Sequence, residues 1–426
     1  MPTTGIESND MSAKEHEYIE QNEKRLVQML QEMVRVPTVN PPGTNYGQMV
    51  ALLKEQCEGR GLKVKVHEVP QKEVIQALGT ADWPRYNLVA HWDVGAVRTV
   101  HFNAHYDVVP VAGKWKFNSA FEPGIGAGVL YGRGSGDMKG SIAALLMAIE
   151  SLRASGTQPA FNIECSFTAD EETGGQLGAG YIVREGLCSA DYAVVCEGAA
   201  GVHVGCGHNG VLWLDVDVDG RSAHASRPQD GINAFEAMAA MAIGLGDYKE
   251  NLEADHRRYR DLNGHYRSPT LNVGGFFAGG EGDKVNTVPA QAHFSIDRRL
   301  VPGEELSKVE RELRGELEGL AELRHPATCR MTVPLRIAPC VVDTKDPLCR
   351  AFAGAVRSVR RRTAGFRVTT GFTDLHYFVE EAGLPGVGYG VKGENVHGVD
   401  ERVRVRDIAL TARTYAEFML CGIEGN

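Results

Sequence analysis

Five short stretches of this chain carry potential metal ligands, each a Gly-rich or acidic turn that follows an apolar run. They are His105 in HFNAHYDVVP, Asp137 in YGRGSGDMKG, the pair Glu171 and Glu172 in FTADEETGG, Glu197 in AVVCEGAA and His397 in ENVHGVDE. The apolar runs read as strands, and open α/β sheets place their chemistry where strands end in loops. Two imidazoles with several carboxylates suit divalent zinc, with cobalt or manganese as further options. One more carboxylate beside a ligand suits a general base working on metal-activated water. The set predicts a hydrolytic centre with two divalent metal ions.

The individual residues differ in weight. His105 precedes Asp107 by two positions, so a strand end points both to one side, and Asp107 is placed to accept the second ring N–H. A His-x-Asp pair solvated at a strand end is the plain alternative. Asp137 sits at a predicted helix start, where it could simply cap the helix. The glycines of Gly132–Gly140 imply a strained loop instead, holding a carboxylate able to use both oxygens. Asp170, Glu171 and Glu172 repel one another unless a cation neutralises them. With a metal on Glu172, Glu171 is left to take a proton from water and pass it to a leaving nitrogen. Glu197 and His397 carry weight only beside the others. Further along, His224 lies among small residues in RSAHASRP, where a surface histidine is the alternative. Asn286 and the run Asp297-Arg298-Arg299 offer groups suited to a substrate carboxylate, or equally loop caps and surface charges.

The elements that must position these residues follow from periodicity. Residues 1–14 read as a disordered tail, and Glu15–Val36 as one amphipathic helix stopped by Pro37. A helix over 46–60 and strands at 62–69, Tyr86–Trp92 and Thr99–Ala104 come next. A buried helix over 139–154, strand Phe161–Phe167 and strand Tyr192–Val195 complete an α/β alternation. The pattern then changes. Strand Val211–Asp219, a helix over 231–246, a segment without periodicity over 248–267, strands at 269–277 and 290–298, a helix over 303–319 and a strand near 328–336 give the β-α-β-β-α-β order of a ferredoxin-like unit. A helix over 345–360, a strand over 366–370 and a helix over 406–421 resume the first style. The predicted fold class is α/β: a mixed-sheet catalytic domain from 15–208 and 337–426, interrupted by a ferredoxin-like α+β lid at 209–336.

At 426 residues, two domains are expected, and 43% apolar with 23% charged residues is a globular composition. A net charge of −10 argues against nucleic acid and anionic membranes as partners and says nothing positive about the substrate. Nine cysteines without a close pair fit a reducing compartment, and no secretory signal or membrane-length apolar run is read. Cytoplasmic placement is the expectation.

Together, HYD, GRGSGDMKG, ADEETGG, a strand-ending Glu, SAHAS-RP and a late His-x-x-Asp-Glu resemble the aminoacylase and carboxypeptidase family of co-catalytic metallohydrolases, which includes acetylornithine deacetylase, succinyl-diaminopimelate desuccinylase and bacterial glutamate carboxypeptidases. The likeness runs from about residue 25 to near the end. It implies one metal on His105, Asp137 and Glu197 and another on Asp137, Glu172 and His397, with Asp137 bridging. It further implies Asp107 as orienting residue, Glu171 as general base and acid, and Asn286 and Arg299 as substrate-binding. The lid would make a homodimer or larger assembly, with His224 stabilising the oxyanion across the dimer. Glu rather than Asp at 197 resembles the deacylase and carboxypeptidase branch rather than the dipeptidases. Two departures stand out: His376 in GFTDLHYF replaces a common Arg that holds substrate carboxylate, and no Pro follows Glu197. The expected activity is therefore cleavage of an amide C–N bond in a small carboxylate-bearing substrate. An aminohydrolase releasing ammonia is the alternative, with a dipeptidase or a non-enzymatic binding protein behind it.

Overall fold

The computed structural model describes residues 12–117, 119–254, 259–324 and 326–423. The chain divides into two compact units: a larger one from the segment up to Gly207, Val341–Thr369 and Thr373 onward, and a smaller one from His208–Cys340 with Thr370–Phe372.

The larger unit is built on a nine-stranded sheet. Its strands include β1 (Lys63–Glu68), β2 (Tyr86–Trp92), β3 (Thr99–His105), β4 (Asn162–Thr168), β5 (Tyr192–Ala200), β6 (His203–His208), β7 (Gly365–Thr369) and β8 (Gly386–Gly390). The order is β1-β2-β4-β3-β5-β8-β6, with β7 beside β6. At the centre β4, β3, β5 and β8 run parallel, while β2 and β6 flank them antiparallel, so the sheet is mixed. Parallel strands align their carboxyl ends, and every candidate ligand lies at or just beyond one of those ends or in a loop leading to them. The helix Lys139–Ser155 is buried all round from Ile142 to Leu152, as a helix in the middle of a large core must be. It packs against Val405–Cys421 and against the two N-terminal helices.

The smaller unit has a four-stranded antiparallel sheet in the order Thr270–Gly279, Gln291–Leu300, Gly210–Asp219, Thr328–Ile337. That is the ferredoxin-like arrangement. Leu212, Leu214, Val216 and Val218 are buried, with Trp213, Asp215, Asp217 and Asp219 alternating on the more open face. Helices Ala234–Gly244 and Leu306–Glu322 cover the apolar face.

Several expectations are corrected. The single helix over Glu15–Val36 is two, Ala13–Gln21 and Glu23–Val34, because Asn22 leaves helical geometry and turns its side-chain amide back onto the Tyr18 carbonyl. The helix also begins inside the expected tail, at Ala13, and residues 1–11 of that tail lie outside the described residues. The segment 248–267 is not irregular throughout. Helix Gly246–Ala254 occupies its start, and a short hairpin pairs Tyr259–Arg260 with Tyr266–Arg267, its turn held by Asp261 accepting from the Asn263 and His265 N–H groups and from Arg267. Glu197 lies within β5 rather than after it, since the strand continues through Gly198 at φ 82° to Ala200. Helix Gln71–Leu78 and the short strands Gly124–Gly126, Val129–Tyr131, Gly393–Glu394 and Arg402–Arg404 were not read from the sequence.

In the smaller unit, Arg336 and Arg314 hold the Glu310 carboxyl at about 2, below its ordinary 4.5. A depressed acid contributes stability above its unfolded value and loses it as pH falls through its folded value. Because Arg336 is 46% exposed, solvent screens the pair. Glu310→Gln is expected to lower Tm by roughly 1–3 °C near pH 7. That difference should hold down to pH 4.5 and shrink toward pH 2 in thermal unfolding followed by circular dichroism; a pH-independent difference would refute the ion-pair account.

Candidate metal centre

The central strands are polar on one face. His101, Asn103 and His105 of β3 sit opposite Glu164, Ser166 and Thr168 of β4, and all six are buried. Buried polar groups require partners, and here the Asn103 amide donates to Ser166 Oγ and Thr168 Oγ1 at 3.1 and 3.0 Å. The opposite face of the same strands, Phe102, Ile163, Cys165 and Phe167, belongs to the apolar core.

At the carboxyl end of this ladder the candidate ligands converge. His105 Nε2 is 3.2 Å from Asp137 Oδ1, and His397 Nε2 is 3.2 Å from Asp137 Oδ2 and 3.1 Å from Glu172 Oε2. Asp137 thus presents one oxygen to each imidazole. Glu171 Oε2 and Glu197 Oε2 lie 3.9 and 4.0 Å from His105 Nε2. The sets His105, Asp137, Glu172 and His105, Glu171, Glu197 each bring three ligand atoms within 4.8 Å of one another.

Two carboxylates hold this arrangement from behind. Asp107 lies 3.4 Å from His105 Nδ1, whose closer partner is the Asp107 backbone carbonyl at 3.1 Å. Its oxygens also accept from the Glu171 and Glu172 N–H groups and from the Asn40 amide. Asp107 therefore steadies the imidazole through its carbonyl and carboxylate together, and its carboxylate fixes the acidic turn. The second is Glu401, noted in the sequence only as part of an acidic pair. It accepts from the N–H groups of Gly134, Gly136 and Asp137 and from Arg133 Nη1 at 2.7 Å, while Arg133 Nη2 donates to the His397 carbonyl. The small antiparallel sheet of Gly393–Glu394, Arg402–Arg404, Val129–Tyr131 and Gly124–Gly126 brings the two loops side by side. A side chain at Gly136 would meet the Gly393 backbone at 2.7 Å, and Gly134 has φ 82°, so both positions need glycine. Lys139, just beyond, is fully buried and donates to the Met33 and Val36 carbonyls; burial pulls it down to about 7.

The electrostatics fit bound cations. Burial and then Glu197 push Glu171 well above the carboxylate range, and burial and then Asp137 push Glu172 up to about 7. Burial also raises Glu197, with His105 opposing it, and Glu197 Oε1 is buried without a hydrogen-bond partner. Hydrogen bonds donated by its ring to Asp137 and Glu172 lift His397 to about 10. So many acids in one dry space, one with an unpartnered oxygen, are the donor set of a divalent metal centre.

Asp374 was missed. It is buried, accepts from Thr168 Oγ1 at 3.4 Å, and is raised by burial to about 7, with His105 opposing the rise. The segment GFTDLHYF draws attention for His376 alone, and a single acid inside it follows no ligand pattern. Nearby His376 is buried, its Nδ1 paired with the Thr373 carbonyl at 2.8 Å and its ring 4.0 Å from that of Tyr377. The remaining predicted residues belong to the smaller unit. His224 is exposed, with Nδ1 2.8 Å from Ser226 Oγ, and Asn286 is exposed on the neighbouring segment, its carbonyl accepting from the Ala225 N–H. Arg299 is committed to Asp297 by two 2.8 Å bonds.

Comparison with known proteins agrees with this geometry. The family model Peptidase family M20/M25/M40 matches residues 101–420. Aminoacylase-1A of Rattus norvegicus is 26% identical over 385 residues, covering 87% of each chain. The succinyl-diaminopimelate desuccinylase of Rhodopseudomonas palustris strain BisB18 is 27% identical over 405 residues, covering 90% of this chain and 95% of that one. The structure of the dipeptidase Dug1p from Saccharomyces cerevisiae superposes with a TM-score of 0.79 at 15% identity, over 97% of this chain and 98% of that one, and so shares the fold. With two imidazoles and a bridging aspartate set among buried acids at the ends of parallel strands, the chain belongs to peptidase family M20/M25/M40 and is a metal-dependent hydrolase of amide C–N bonds.

Proposed function

We propose that this enzyme removes an acyl group from the nitrogen of a small carboxylate-bearing substrate, as an N-deacylase or carboxypeptidase-like hydrolase with two zinc ions. His105, Asp137 and Glu197 would hold one ion and Asp137, Glu172 and His397 the other. When bound, such ions lower the pKa of water and polarise a carbonyl oxygen. The observation that carries the reading is Glu171: its carboxylate is buried beside Glu197 and stands 3.9 Å from His105 Nε2, outside hydrogen-bond reach. A buried carboxyl hydrogen-bonded to neither imidazole is left free to exchange a proton with water. Glu171 takes the proton from the attacking water and delivers it to the departing nitrogen. Asp107 keeps the His105 ring oriented throughout. Asp374 adds a further buried acid beside this set.

Two relatives are named for removing acyl groups, aminoacylase-1A and succinyl-diaminopimelate desuccinylase, which supports the substrate class. His224 would stabilise the oxyanion and Asn286 and Arg299 would bind substrate. A homodimer made through the smaller unit is supported by the exposed Phe235, Phe276, Phe277 and Val285 of that unit and by a cavity of about 420 Å³ lined by Phe235, Met238 and Phe277. Nine cysteines with no close Cys-x-x-Cys pair suit a cytoplasmic setting, and no helix among the described residues is long and apolar enough to cross a membrane.

A second reading, ammonia-releasing aminohydrolysis, is favoured by His376. Its ring is engaged by the Thr373 carbonyl and offers no forked guanidinium to a carboxylate.

The test is hydrolysis of N-acetyl, N-succinyl and N-carbamoyl amino acids, dipeptides and anthranilate-like amines by metal-stripped enzyme reloaded with zinc, cobalt or manganese. Metal-dependent release of one amino acid is expected; ammonia release would replace this reading with the second. Glu171→Gln is expected to lower kcat by about 10²–10⁴-fold while metal content stays unchanged. Loss of metal in that variant would make Glu171 a ligand instead. Glu401→Gln is expected to weaken metal binding by about 10–100-fold in chelator competition, because four donors lose their charged acceptor. Unchanged affinity would show that the two loops hold their geometry without it.

A further inference from the structure

The other end of the β3–β4 ladder carries a second group of metal-ligating side chains. His91 of β2, Glu164 of β4 and His101 of β3 are register partners across three adjacent strands, so they form one row on one sheet face. Four residues along β3 separate His101 from His105, roughly 13 Å at strand spacing, so this row is distinct from the centre above. Glu164 Oε1 is 2.6 Å from His101 Nδ1, and Glu164 Oε2 is 3.4 Å from His91 Nδ1. Cys188 closes the group from the loop before β5, its thiol, the His101 ring and a Glu164 oxygen all within 4.8 Å of one another.

The surroundings are built as they are around a ligand set. His101 and Glu164 are fully buried, and His101 Nε2 is 2.7 Å from Ser166 Oγ, which leaves Nδ1 turned toward Glu164 and fixes the ring. The Ser189 N–H donates to both Glu164 oxygens. Cys188 is half-buried and His91 largely exposed, and a cavity of about 210 Å³ lined by His91, Glu164 and Ser189 gives an entry path. Burial pulls the His101 imidazolium down, yet Cys188 and Glu164 lift it to about 10, so this spot favours a cation. A simple His101–Glu164 ion pair would need neither the thiol nor a second imidazole.

We propose that His101, Glu164 and Cys188 form a separate structural site for a thiolate-preferring divalent metal such as zinc, with His91 beside Glu164 at its open side. The Cys/His/carboxylate set matches zinc in softness. Binding places the ion where the His101 proton sits and releases that proton and the thiol proton to solvent.

The experiment is a cobalt(II) titration of the full-length protein, read by the near-ultraviolet thiolate-to-cobalt charge-transfer band. The imidazoles and carboxylates of the catalytic centre supply no such band. The expected result is a band whose final amplitude corresponds to one thiolate-bound cobalt per chain, persists in His397→Ala, and disappears in Cys188→Ser, which binds one cobalt fewer per chain and keeps its amide hydrolysis. His101→Gln, checked for folding by circular dichroism, is expected to weaken cobalt binding at this site at least about tenfold. Absence of the band in the wild-type protein, or its survival in Cys188→Ser, would overturn the proposal.

Discussion

Like charges crowded into a dry space set the terms for this structure. Asp137, Glu171, Glu172 and Glu197 stand around His105 and His397, and all of them but His397 are largely withdrawn from solvent. Bringing such acids together costs free energy unless cations neutralise them, and that cost falls on the fold that holds them. The fold meets it with rigid attachment points. Parallel strands deliver His105 and Glu197 from neighbouring positions, and the acidic turn follows β4 directly.

Two carboxylates that are not themselves candidate ligands do most of the positioning. Asp107 gathers the His105 ring, the Asn40 amide and the N–H groups of Glu171 and Glu172 around one pair of oxygens. Glu401 gathers three backbone donors and Arg133, and so locks the Gly132–Asp137 loop to the loop of His397. Charge-assisted hydrogen bonds to buried carboxylates are shorter and stronger than neutral ones. Each such anchor reduces the freedom of several ligands at once, and this pre-organisation is what a metal centre requires of its protein.

The polar ladder of β3 and β4 links this centre to the rest of the sheet. A buried strand face built of His101, Asn103, His105, Glu164, Ser166 and Thr168 is unusual for a parallel core, where apolar residues normally dominate. The Asn103 amide N–H groups bond across the strand pair to Ser166 and Thr168, and Thr168 passes a bond on to Asp374. The carboxyl end of the ladder holds the candidate metal ligands, and its amino end holds the His101, Glu164 and Cys188 group.

Local composition in the sequence was enough to expose the chemistry. Histidines and acids placed after strand-like runs have few other uses in such number, so His105, Asp137, Glu172, Glu197 and His397 could be read as candidate ligands and Glu171 as a base. Strand and helix periodicity likewise determined the α/β alternation and the ferredoxin-like order, because both depend on residues close together in the chain. Tertiary structure alone decided the rest. The roles of Glu401 and Asp374 depend on partners that are about 265 and 206 positions away in the chain, and local patterns carry no trace of such pairings. Strands of two or three residues, such as Gly393–Glu394, are too short to show periodicity, yet they decide which loops become neighbours. The row of His91, Glu164 and His101 exists only once three strands are in register, since register is a property of the assembled sheet and not of any single strand.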